Sequence, residues 1–206
     1  MANSGSRNQT TDRQPEPLVI LHIVRSPVGG IFRHIRDLAL AQTKAGHQVG
    51  IICDSRTGGA FEDVQIASLD TKLRFGVTRI AMRRAISPLD LVALRKVYRK
   101  SRAIKPDIIH AHGSKGGTMG RIIAGLERVR GRKVRAYYAP HGGSLHYNAN
   151  SLGGRVYFRI ERALERLTDG LIHVSAYEAE TYKTKIGTPR CPAHIVHNGL
   201  MPAEFR

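Results

Sequence analysis

The chain of 206 residues carries 33 Lys plus Arg against 16 Asp plus Glu, a formal charge of +17. Its 41% hydrophobic and 24% charged residues exclude a fibrous or disordered class, and domains of ~100–200 residues leave room for one well-packed α/β unit. No apolar run approaches the ~20 residues needed to span a bilayer, and Cys53 and Cys191, far apart and without a C-x-x-C pair, exclude a disulfide framework and a zinc ribbon. The cysteine usage points to a reducing, cytoplasmic setting. The charge asks for an anionic partner: a membrane surface, a nucleic acid or a phosphorylated substrate.

Residues 1–17 are polar, lack the apolar core of a signal peptide and are expected to form a disordered tail. Leu18 to Val24 is a continuous β-rich run, the mark of a strand buried on both faces, and it ends at Pro27-Val28-Gly29-Gly30. From Ile31 the apolar positions Ile31, Ile35, Leu38, Ala39 and Ala41 predict a helix, which Gly46 closes. Gln48 to Cys53 reads as the second strand and Val77 to Met82 as a weaker third. Ser87-Pro88-Leu89-Asp90 opens a helix that runs to about Ile104, with Leu91, Leu94, Val97 and Tyr98 toward the sheet.

Asp107 to His112 is the next strand, followed by a glycine-rich turn and a helix over about Gly117 to Val129. Val134 to Ala139 is another strand, ending in Pro140-His141-Gly142-Gly143. A helix over about Gly154 to Leu167 presents Val156, Ile160, Leu164 and Leu167 on one face. The strand Gly170 to Val174 runs into Ser175-Ala-Tyr-Glu178, which reads as a capping box. His194 to His197 comes last, before Asn198-Gly199. Strands alternating with helices predict a Rossmann-like, doubly wound parallel sheet of about seven strands with helices on both faces and a ligand site at the strands' carboxyl ends.

The chemistry-bearing residues cluster in the loops after strands. Gly29-Gly30 lets a ligand approach the backbone or simply makes a tight turn. It lacks both the G-x-G-x-x-G pattern and the G-K-[ST] of a Walker loop, which argues against a Rossmann oxidoreductase and a P-loop enzyme. Gly113-Ser114-Lys115-Gly116-Gly117 reads as a solvated turn or a weak phosphate cradle. His110 and His112 share one face of a strand and His141 follows the next, but no Asp, Glu or Cys at ligand spacing completes a metal site. His110 is expected to pack in its strand. His141, between Pro140 and two glycines, is placed to donate a hydrogen bond to substrate. Eleven basic residues between Lys72 and Lys105 face the single acid Asp90, a bias that fits an anionic membrane surface. Nucleic acid is less favoured, because aromatics are 6%, tryptophan is absent and no recognised nucleic-acid motif is visible.

Gly29-Gly30-Ile-Phe-Arg33-His34-Ile-Arg-Asp-Leu38, Ala45-Gly46-His47-Gln-Val49, Lys105 to Gly113, Pro140-His141-Gly142, Glu161 to Asp169, Val174-Ser175 and Ile195 to Gly199, taken in order, resemble the N-terminal half of family 4 glycosyltransferases. The resemblance implies a GT-B enzyme: two Rossmann-like domains facing a cleft, metal-independent, with retention of configuration and no cofactor. Its donor would be a nucleotide sugar, held mainly by a C-terminal domain, and its acceptor a glycan or lipid-linked sugar. By this likeness Gly29 and Gly30 approach the donor diphosphate, His141 sits by the transferred sugar and Asn198-Gly199 lies near the interdomain hinge. Arg33, His34, His112, Lys115, Gly142 and Ser175 are further contacts expected for phosphate or acceptor. Residues 18–206 would form this acceptor-side domain, and the family's C-terminal domain, with its paired glutamates, is not in the sequence. Such an enzyme would work in the cytoplasm, peripherally on the inner face of the membrane. A different class also fits the charge: a non-catalytic basic α/β module that binds anionic membrane or nucleic acid. A cleft lined by the strand-end loops separates the two readings.

Overall fold

The computed structural model describes residues 16–199. The tail expected over 1–17 lies almost wholly outside the described residues. Seven strands form one all-parallel sheet: β1 (Val19–Val24), β2 (Gln48–Cys53), β3 (Val77–Arg79), β4 (Ile108–His112), β5 (Arg135–Ala139), β6 (Gly170–His173) and β7 (Ala193–Ile195). Their order is β3-β2-β1-β4-β5-β6-β7, which reverses direction between β1 and β4. Six helices connect them: α1 (Gly29–Lys44), α2 (Ala60–Asp70), α3 (Leu89–Ile104), α4 (Gly113–Val129), α5 (Leu152–Leu164) and α6 (Ala176–Lys185). The fold is the Rossmann-like doubly wound sheet that the alternating pattern predicts.

The continuous apolar runs of β1 and β2 are explained by two cores, one on each face. Ile20, Val24, Val49, Ile51 and Cys53 meet Phe32, Ile35 and Ala39 of α1 and Ile66 and Leu69 of α2. Leu21, Ile23, Ile52 and Ile109 meet Ala93 and Val97 of α3 and Met119, Ile123 and Ala124 of α4. On the α1 face of β1 and β4 the alternation places His22, His110 and His112, all buried.

Four expectations are corrected. The 113–117 stretch is no turn: α4 begins at Gly113, and its glycines lay it directly on the sheet. A Cβ at Gly116 would lie 2.7 Å from the Ile23 carbonyl oxygen, and one at Gly120 2.6 Å from Ala111 Cβ. In α5, Val156 and Ile160 are exposed while Gly154, Phe158, Glu161 and Leu164 are buried. The helix is rotated because Glu161 is drawn inward to Arg121 of α4, 2.7 Å away, and accepts a hydrogen bond from the Tyr138 hydroxyl at 3.1 Å. In α3, Leu91 is 72% exposed, and Ala93 takes its expected place beside Val97. The capping box is only half formed. Ser175 Oγ accepts from the Glu178 amide, but the Glu178 carboxylate accepts from the amides of Val174 (2.9 Å) and Gly142 (2.6 Å).

Candidate active site at the carboxyl edge of the sheet

A doubly wound sheet opens a crevice where its strand order reverses, outside the carboxyl ends of the strands. Here that point lies between β1 and β4, so Arg25 to Gly30, Gly113 and Pro140 to Gly143 converge on it. Gly29 has φ +62°, a conformation that favours glycine, and a Cβ at either Gly29 or Gly30 would meet nothing within 4 Å. The backbone at the start of α1 thus faces open space, with the amides of a helix N-terminus beside it.

Behind this turn a line of histidines runs from the interior to the edge. His22 Nε2 lies 2.8 Å from Gln42 Oε1 of α1, and His22 Nδ1 lies 3.0 Å from His112 Nε2. His112 Nδ1 in turn lies 3.0 Å from His141 Nε2. His34 of α1 sets its ring edge-on to His141, with centroids 5.3 Å apart, and His110 packs against His112 at 4.1 Å. Burial lowers the pKa of His22 to about 4, and it holds His110 and His112 well below the ordinary histidine value. Burial, with the neighbouring His34, also lowers His141 to about 4. All four rings are therefore neutral near pH 7. Nitrogen atoms of His22, His110 and His112, and of His34, His112 and His141, lie within 4.8 Å of one another, close enough to share a metal ion. In this arrangement the facing nitrogens of His22, His112 and His141 are engaged with each other instead.

His141 adopts φ +51°, unusual for a residue with a side chain, and Gly142 follows at φ +72°. Glu178 holds this turn through its bond from the Gly142 amide. Burial alone would raise the Glu178 carboxyl, but the His173 ring and the amides of Val174 and Gly142 hold it below the ordinary glutamate value.

The other residues singled out from the sequence fall in different places. His112 is fully buried and ends β4, the middle of the histidine line. Arg33 reaches the Gly199 carbonyl at 3.4 Å, so α1 touches the segment expected to be a hinge, where Asn198 and Gly199 are exposed. Lys115 ties α4 to the 83–90 segment: its ammonium donates to the carbonyls of Arg83 (2.6 Å) and Ala85 (2.9 Å) and pairs with Asp90 at 2.8 Å. Ser175 caps α6. Reading the sequence missed His22, Gln42 and Glu178. The signal for His22 was present, a histidine inside an apolar buried strand, and the sheet register sets it beside His110.

Two neighbouring cavities open at the same edge. One, of about 680 Å³, is lined by Arg25, Arg56, Arg83 and Arg84 with Asp54, whose carboxylate is occupied by the Met82 amide and the Thr57 hydroxyl. The other, of about 560 Å³, shares Arg25 and Arg84 with it, runs past Ile86, Leu91, Leu94 and Ile160, and reaches His112 and His141.

A Rossmann-like sheet with its loops gathered on one open edge is also the architecture of GT-B glycosyltransferases. HepE from Anabaena, solved with UDP and glucose, superposes with a TM-score of 0.65 at 17% identity, over 91% of this chain and 48% of that one. Sucrose-phosphate synthase from Thermosynechococcus elongatus superposes with a TM-score of 0.59 at 15% identity, over 89% and 48%. The model of Glycosyltransferase Family 4 matches residues 28–204, and the chain belongs to that family. A curated relative, an uncharacterised 41.2 kDa protein in the cps region of Klebsiella pneumoniae, is 26% identical over 183 residues, which cover 88% of this chain and 46% of the relative. The chain thus spans about half the length of these proteins.

Proposed function

We propose that this chain is the acceptor-side half of a retaining glycosyltransferase that moves a sugar from a nucleotide-linked donor to a lipid-linked, phosphate-bearing acceptor. The observation that carries the reading is that α1, which opens on the uncrowded Gly29-Gly30 turn, meets the strained His141-Gly142 turn through His34, whose ring lies 5.3 Å from that of His141. HepE, similar in fold, was solved with UDP and glucose, which supports a nucleotide-sugar donor.

In this reading Gly29 and Gly30 let the donor diphosphate approach backbone amides at the start of α1, where negative charge is favoured. His141 contacts the transferred sugar, and its turn holds the ring still while the reaction proceeds. Arg33 joins α1 to the Asn198-Gly199 hinge, so closure onto a donor-binding half would be felt at the first glycine turn. The acceptor enters from the other side. Four arginines suit its phosphate, and the adjoining groove of Ile86, Leu91, Leu94 and Ile160 suits an apolar chain.

The sequence left open a non-catalytic basic module. Cavities lined by the strand-end loops favour the enzyme. No helix among the described residues is long and apolar enough to cross a membrane. Exposed Leu89, Leu91 and Val92 beside Arg95, Lys96 and Arg99 fit peripheral attachment at an anionic bilayer surface, with cytoplasmic access to the donor.

The test is transfer of labelled sugar from a panel of nucleotide sugars to polyprenyl phosphate and diphosphate acceptors. The enzyme that joins residues 1–206 to a donor-binding half should transfer, whereas residues 1–206 alone should fold and transfer nothing, because the donor contacts that stabilise the transition state are mostly missing. Turnover by residues 1–206 alone at an ordinary enzymic rate would overturn the half-enzyme reading.

A further inference from the structure

The line of histidines has a polarity. A neutral imidazole carries one N–H and one lone pair, so each link in a chain of such rings holds a single proton, and fixing one link fixes all the others. Gln42 Oε1 lies 2.8 Å from His22 Nε2, and a carboxamide oxygen can only accept. His22 therefore donates from Nε2 and accepts at Nδ1. Across the 3.0 Å contact His112 must donate from Nε2 and accept at Nδ1, and across the next 3.0 Å contact His141 donates from Nε2. What remains on His141 is the lone pair of Nδ1, which takes no hydrogen bond from the described residues, on a ring that lines the groove.

We propose that Gln42, His22 and His112 are positioning residues that lock His141 in its Nε2–H tautomer, so that Nδ1 meets the substrate as a hydrogen-bond acceptor for a sugar hydroxyl. The proposal rests on the glycosyltransferase reading only for the identity of the hydroxyl. It reverses the polarity expected from the sequence, in which His141 donates.

Burial makes the lock effective. His22 and His112 are fully buried and their charged forms are strongly disfavoured, so neither ring escapes the constraint by taking a second proton near pH 7. His34 reaches His141 edge-on rather than through a bond to Nδ1, and Glu178 holds the neighbouring Gly142 amide, so neither competes for the lone pair. A hydrogen-bonded row of three histidines, two of them fully buried, ending on an amide has no evident use in a core, where apolar residues pack as well. As a tautomer lock it selects a substrate group that donates a hydrogen, a hydroxyl, and disfavours a phosphate oxygen at the same position.

Long-range ¹H–¹⁵N correlation spectra of the ¹⁵N-labelled chain at pH 7 read histidine tautomers directly, without any turnover. Spectra of His141→Asn, His112→Asn and His22→Asn chains assign the signals. The native chain should show all three rings as Nε2–H tautomers. Gln42→Met, which removes the accepting oxygen while keeping the shape, should leave His141 as a mixture of both tautomers, and Gln42→Glu, which keeps an acceptor, should restore the single form. A native His141 with its proton on Nδ1, or one already mixed, would overturn the proposal. So would a Gln42→Met chain with unchanged tautomers. Because the readout is the proton's position, a negative result here leaves the transferase reading standing, and absence of sugar transfer leaves the lock standing.

Discussion

Arg121 is the largest fully buried side chain among the described residues, and its replacement is expected to be among the most destabilising single changes. Its guanidinium pairs with Glu161 at 2.7 Å, donates from Nε to the Gly117 carbonyl at 2.9 Å and stacks 3.8 Å from the Tyr138 ring centroid. Both charges are out of water, at 0% and 4% side-chain exposure. Arg121→Met keeps the volume and removes the positive charge that faces the buried Glu161 carboxylate. Breaking a buried pair from one side costs about 3–5 kcal/mol, whereas removing both partners is often neutral. A chain of this length shifts its melting temperature by roughly 2–4 °C per kcal/mol, so Arg121→Met should melt roughly 6–20 °C lower. Arg121→Met with Glu161→Gln, which keeps an acceptor for the Tyr138 hydroxyl, should recover at least half of the loss. Calorimetry or urea titration measures both. A single variant within about 1 kcal/mol of the parent, or a double variant no better than the single, would refute the claim that this pair anchors α5 to α4.

Gly117→Ala would set a methyl 2.7 Å from Tyr138 Cδ2, an overpacking expected to cost about 1–3 kcal/mol, while Gly30→Ala meets open space and should alter stability by only about 0.5 kcal/mol. Equal urea midpoints for the two variants would contradict the packing role given to the α4 glycines. His22 and His141 resist protonation until about pH 4, whereas unfolded histidine takes up its proton near pH 6.5, so the unfolded chain binds more protons between these values. Stability should be full above about pH 7 and fall as the pH drops from about 6.5 toward 4, with the depressed Glu178 acting in the same direction at lower pH. A urea midpoint that is flat or rising on acidification through that window would disprove this. The basic 72–105 segment should bind anionic vesicles weakly and lose them at high salt, since each Lys or Arg near such a surface contributes about 1 kcal/mol within a screening length of about 8 Å. Cosedimentation with equal binding to neutral vesicles would reject the electrostatic surface.

Elements with strong periodicity and clear punctuation were readable. Gln48 to Cys53 is bounded by Gly46 at φ +90°, and β2 spans that whole run. α2 was missed because its apolar residues give no clean stripe: Phe61 and Val64 are exposed, Ile66 and Leu69 are buried, and its N-terminus rests on Glu62 reaching back to the Gly59 amide. The rotation of α5 was hidden because its inward face carries Glu161, whose partner Arg121 lies 40 positions away. Counting apolar residues therefore set Val156 and Ile160 inward in place of Phe158 and Glu161, while Leu164 is buried as expected. The same limit applied at the site. Gly29-Gly30 and His141-Gly142 announce themselves as glycine turns after strands, but the line from Gln42 to His141 joins α1, β1, β4 and the loop after β5. Only the parallel register of β1 on β4 brings His22 and His110 side by side.

We take His141 to stand at a sugar-transfer site rather than to serve the core. Turnover and melting temperature of His141→Ala, in the enzyme joining residues 1–206 to a donor-binding half, test it most directly. Loss of one aimed transition-state contact should lower turnover by a factor on the order of 100 or more, whereas leaving the buried His112 Nδ1 without its donor should cost only about 1–3 kcal/mol of stability. Near-normal turnover, or a large fall in melting temperature with activity lost in proportion, would contradict it.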